Sequence, residues 1–178
     1  MNFQQIINFW FSDDSIQNWF SKSTSFDQRV RNEFFELWQS ACKGELYRWR
    51  QEPKGRLAEI IVLDQFSRNL NRNSALAYQQ DPLALTLSQE LVFNSKWHDL
   101  SQTEQAVALL PWMHSESAPI HSEAVKLYAV VGNREFMDYE KKHRQIIKQF
   151  GRYPHRNSVL GRASTHQETE WLKTNEGF

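Results

Sequence analysis

Arg152, Arg156 and Arg162 lie in a loop-like stretch, FGRYPHRNSVLGRAST (150–165), that also holds a histidine, an asparagine, two glycines and no acid. Aromatic and aliphatic residues interleave these arginines, so they are expected to be partly buried. A guanidinium in such company needs an acceptor. Arginine also presents a planar fork of donors that matches carboxylate or phosphate at two points. The chemistry on offer is therefore a grip on an anionic ligand or a set of internal ion pairs. The wider run from Lys141 to Arg162 has seven Lys or Arg and no Asp or Glu. Lys141, Lys142, Arg144 and Lys148 fit the solvent face of a helix, which leaves the three loop arginines to be explained.

Other polar residues fall where apolar ones belong. Leu57, Ile60 and Ile61 set an apolar stripe whose continuation at helical spacing is Asp64 and then Arg68. These two are an i,i+4 pair, as are Gln65 and Asn69. They either bridge each other or face a site. His143 shares the apolar side of another helix, with Glu140 beside it. A lone histidine there is commonly a satisfied core residue. Gly151 and Tyr153-Pro154 then bend the chain, so His155, Arg156 and Asn157 return near the end of that helix. The segment MHSESAPIHSE (113–123) carries His-Ser-Glu twice. His114, Glu116, His121 and Glu123 are metal-ligand types. Within a triplet, however, His and Glu point about 200° apart on a helix, and Pro119 separates the copies. No metal and no cofactor are expected.

Drawn together, these residues predict one site. Asp64, His114, His143 and His155 are its acid–base candidates. Arg68, Asn69, Glu116, Arg152, Arg156, Asn157 and Arg162 are its candidate ligand-binding residues. A histidine beside a carboxylate is expected to titrate near neutrality. The segments 64–69, 113–116 and 152–162 are expected to lie in mutual contact.

The elements that must position them read as helices throughout. Phe3, Ile6, Ile7 and Trp10 predict a helix over 1–11. The stretch SFDQRVRNEFFELWQSACKG predicts a long helix with Ser25 and Gln28 as capping box and Gly44 past its end. EIIVLD could be a buried strand by β-branching, but it sits in a helix-compatible run over 56–70. Asp81 as N-cap and Pro82 at the first position open another helix. Ser101 and Glu104 open the next, which Pro111 ends or kinks. Helices over 120–131 and 134–150 follow, the second closed by Gly151, and Thr165 with Glu168 starts the last. The class predicted is all-α, a single domain of about seven to eight helices.

Composition excludes several functions. The 178 residues carry 21 Lys or Arg and 21 Asp or Glu, so no global field draws the chain to nucleic acid or membrane. One cysteine, Cys42, precludes an internal disulfide and suits a reducing compartment. No apolar run reaches a membrane span, and the N-terminus lacks the basic region of a signal peptide. A cytoplasmic protein is expected. No nucleotide loop and no Gly-x-Ser-x-Gly elbow are found.

Four motifs, IINFWF with NWF, LDQFSRNL, MHSE and FGRYPHRNSVLGRAST, resemble the bacterial family called domain of unknown function 924. The resemblance runs from near residue 6 to near the C-terminus. It implies a tetratricopeptide-like superhelical fold and carries over no catalytic residues. Ser67 stands where the family commonly has proline, and Tyr153 where it has phenylalanine. Two function classes follow. One is a pocket for a small phosphate- or carboxylate-bearing molecule, with acid–base catalysis left open. The other is a helical scaffold that binds a peptide or protein, which rests on fold analogy.

Overall fold

A computed structural model describes residues 1–175 of the chain. The helices are α1 (Phe3–Trp10), α2 (Asp13–Ile16), α3 (Thr24–Cys42), α4 (Pro53–Ile61), α5 (Ser67–Leu70), α6 (Asp81–Val92), α7 (Gln102–Ala108), α8 (Leu110–Met113), α9 (Ala118–Val131), α10 (Arg134–Phe150) and α11 (His166–Leu172). No strand occurs among the described residues, so the all-α reading holds. Among the described residues, no helix is long and apolar enough to cross a membrane.

EIIVLD is helix. A π-helical turn, Val62–Phe66, joins α4 to α5 and makes 53–70 one continuous rod. Its residues from Leu57 to Leu63, and Phe66, are buried. α1, α6 and α7 pack on α4, and α3 packs on the π turn and α5. The rod is therefore the central post of the core. A π turn adds one residue per turn and shifts the helical face there. Asp64 sits inside that turn.

Chain ends of helices largely follow the expected signals. Ser101 with Glu104 and Thr165 with Glu168 form capping boxes. Gly132 and Gly151 close α9 and α10 in the left-handed conformation that only glycine adopts at no steric cost. Two expectations are corrected. The α3 cap is Ser23, whose hydroxyl accepts from the Phe26 N–H; Ser25 lies within the first turn. Gln80, not Asp81, caps α6, and the Asp81 carboxylate instead meets arginines from two distant segments.

One contact behind the central rod is tight. A Cβ built at Gly55 would stand 2.1 Å from the Trp49 carbonyl oxygen, a backbone atom that cannot rotate away. Alanine for glycine inside a helix ordinarily stabilises. Here the sign reverses, and Gly55→Ala is expected to lower unfolding free energy by about 2 kcal/mol or more. Urea melts check this, and an unchanged midpoint would mean that the Tyr47–Gln51 turn moves aside freely.

Candidate functional site

Asp64 is 1% exposed and still carries its charge among apolar neighbours. Burial alone would push its carboxyl up. The Arg68 and His114 sides outweigh burial and hold it well below the usual carboxylate range. Its Oδ1 meets Arg68 Nη1 at 3.1 Å and His114 Nδ1 at 2.9 Å, and Gln65 donates to Oδ2. Arg68 also donates to the Asp64 carbonyl, one helical turn back. An ionised carboxylate only accepts, so the His114 proton lies on Nδ1 and Nε2 holds the lone pair.

The second carboxylate is Asp81. Its Oδ2 accepts from Arg68 Nη2 at 3.1 Å and from Arg156 Nη1 at 3.2 Å. Both guanidiniums lie against the Tyr78 ring, with Cζ 5.6 Å and 4.5 Å from its centroid. Tyr153 covers the other side of Arg156, again at 4.5 Å. His114, Asp64, Arg68, Asp81 and Arg156 thus form one unbroken chain of charge contacts across four segments. Arg156 is 6% exposed and its Nε–H has no acceptor. Burial lowers its pKa, and Asp81 works against that.

These contacts bring the segments 64–69, 113–116 and 152–162 together around a cavity of about 640 Å³. Arg68, Asn69, His114, His143, His155 and Arg156 line it, and Asp64 stands just behind. Asn69 donates its amide to Asp27, which also holds Arg72. Four of the expected ligand contacts do not line this cavity. Arg162 grips Glu116 at two points, 2.5 and 2.9 Å, and reaches the Tyr153 carbonyl. Arg152 grips Glu168 at 2.6 and 2.8 Å. Asn157 is buried between Arg162 and Ser164. These four fasten the loop, because a long loop lying on a core must satisfy its own polar groups. A second, more open cavity of about 620 Å³ lies beside the first. Tyr78, His114 and Arg156 line both and so divide them.

His121 lies apart from the cavity. Glu140 meets its Nδ1 at 2.8 Å, and the Ser115 carbonyl and the Tyr153 hydroxyl meet its Nε2. Tyr153 donates that hydroxyl to the Met113 carbonyl at 2.6 Å. Ser67 is likewise satisfied, donating to the Leu63 carbonyl and accepting from the Trp38 indole. Ser67 and Tyr153 therefore each place a paired hydroxyl in the interior.

Sequence reasoning missed much of the wall. Trp10, Trp19, Phe20 and Lys22 come from the N-terminal helices and the loop after them, and Tyr78 from a 3-10 turn. Only Lys22, a charge amid aromatics, carried a signal. One electrostatic expectation is also corrected. His114, His143 and His155 are all pushed below the ordinary histidine value. Burial drives His114 below its ordinary value despite Asp64, since Arg68 opposes the carboxylate. Burial also drives His143 well down, and burial with the Arg156 charge takes His155 to about 4.

Acid stability follows from those directions. The unfolded chain takes up histidine protons at about 6.5, whereas His155 in the fold takes one only near 4. Stability is therefore full above about 6.5 and falls as pH drops through the window down to about 4. His155→Gln should flatten this decline. Thermal melts across pH 4–7 measure it, and identical slopes for the two proteins would mean that His155 does not carry the effect.

A profile for bacterial proteins of unknown function, DUF924, matches residues 6–176. The fold is shared with a solved protein of unknown function, ATU0120, from Agrobacterium tumefaciens. The two are 30% identical over 97% of each chain, with a TM-score of 0.90. No curated protein matches. The family match spans nearly the whole chain, and the chain belongs to the DUF924 family of bacterial proteins.

Proposed function

We propose that the cavity beside Asp64 binds a small molecule bearing phosphate or carboxylate. One observation carries this reading. Lys22, Arg68, Arg72 and Arg156 line the cavity, and no Asp or Glu does among the described residues. The neutralising carboxylates, Asp27, Asp64 and Asp81, stand behind these cations. Lys22 is exposed and has no ion pair among the described residues. A wall with cations in front and acids behind presents a positive face, and low-dielectric surroundings strengthen it. Arg68 and Arg156, held side by side on Asp81, suit a two-point grip. Side-chain amides of Asn18, Gln65 and Asn73 add neutral donors. The volume falls in the range of small-molecule sites, about 300–1,000 Å³. A compact chamber of this kind favours a small ligand over a peptide laid along successive helices.

The arrangement also holds a proton acceptor ready. Asp64 fixes His114 Nδ1, so Nε2 is a neutral base at pH 7, which is what acid–base chemistry on a bound anion requires.

Inorganic pyrophosphate and citrate test the reading by calorimetry and thermal melts. Both are expected to bind and to raise the melting temperature. A bound anion raises histidine pKa values, so binding near pH 5 should take up protons, seen as heats that depend on the buffer. Lys22→Glu should weaken binding by about tenfold or more and leave ligand-free stability unchanged. If neither anion produces heat or a melting shift, the cavity is not an anion site.

A further inference from the structure

The cavity is polarised along α10. Phe136, Tyr139 and His143 fall on one face of that helix and all line the cavity. At ~1.5 Å per residue, Phe136 and His143 are about 10 Å apart. Around Phe136 and Tyr139 gather aromatic rings from the N-terminal segment. Phe20 stacks on Tyr139 with centroids 4.4 Å apart, and both Phe20 and Trp19 meet Phe136 edge-on. Trp10 stacks on Trp19 behind them. Around His143 gather the charged groups. The His114 ring lies 6.1 Å from it, and Tyr153, which covers Arg156, lies 5.7 Å away. One end of the chamber is aromatic and the other is cationic.

We propose that the ligand is an anion joined to a flat aromatic ring, about the length of a mononucleotide. Its phosphate or carboxylate sits on Arg68 and Arg156. Its ring lies among Trp19, Phe20 and Tyr139. Ring–aromatic contact then discriminates against ringless anions of the same charge. This inference rests on the anion-binding reading.

Two ligand pairs separate the inference from that reading. Calorimetric titrations at pH 7 compare adenosine 5′-monophosphate with ribose 5-phosphate, and indole-3-acetate with acetate. In at least one pair the ring-bearing member should bind about tenfold tighter or better. Phe20 is 47% exposed at the cavity mouth, so Phe20→Ala should keep the fold and remove most of that preference. Equal affinities within both pairs, with binding retained, overturn the ring inference and leave the anion site standing. No binding of any charged member overturns both. Adenosine binding as tightly as adenosine 5′-monophosphate overturns the anion site. A preference undiminished in a folded Phe20→Ala protein overturns the assignment of the ring to the Phe20–Tyr139 end.

Discussion

An ionised carboxylate in the middle of an apolar helix is the constraint around which this molecule is arranged. Asp64 could not hold its charge at 1% exposure without Arg68 and His114, because an unpaired buried charge costs several kcal/mol. Satisfying it fixes the two partners in turn. Arg68 must lie one turn further along the rod. His114 must come from the end of α8, where Pro111 opens the single turn that presents it. Arg68 has donors to spare, and these reach Asp81, which then holds Arg156. Each link leaves a group that only the next can satisfy. The chain ends at Arg156, whose Nε has no acceptor among the described residues.

The arginine-rich loop divides its work by burial and partner. Arg152 and Arg162 each close on one glutamate in the two-point geometry that guanidinium and carboxylate share. They hold the loop's entry and exit. Arg156, between them, lies flat between Tyr78 and Tyr153 and shares its carboxylate with Arg68. An aromatic sandwich steadies a cation without using its donors. The fastening arginines each donate from Nε, and the middle one finds no acceptor there among the described residues.

The helices were legible because their signals are local. Capping residues, glycines and a 3.6-residue stripe lie within one element, and most helix ends fell where these placed them. The site was legible only in part. Asp64, Arg68, His114, His143, His155 and Arg156 announce themselves as charge or imidazole on apolar faces. The π turn has no sequence signature, although helical spacing already marked Asp64 as inward. Asp81 before Pro82 looks like an ordinary helix start, and only the fold reveals that its carboxylate serves arginines 13 and 75 residues away. Glu116 and Glu168 could not be assigned to their arginines, because partner choice is set by tertiary contact. Trp10 reads as part of a helical stripe near which a ligand could enter, whereas Trp19 and Phe20 read only as the end of a short N-terminal piece. Aromatic residues on a helix face give no sign of whether the space beside them is filled.

Sequence distance also sets when the cavity comes into being. The central rod and the helices around it join segments that lie mainly in the first two-thirds of the chain. The contacts that shape the cavity span 50 residues between Asp64 and His114, 46 between Glu116 and Arg162, and 75 between Asp81 and Arg156. Long-range closures are slow because their entropy is lost before any contact compensates it. Synthesis proceeds from the N-terminus, so the apolar post can assemble while the loop that carries Arg156 is still within the ribosome. Until that loop arrives, Asp81 has one arginine and Glu116 has none. A chain that stalls before Gly151 would lack Arg156 and the tyrosine that covers it.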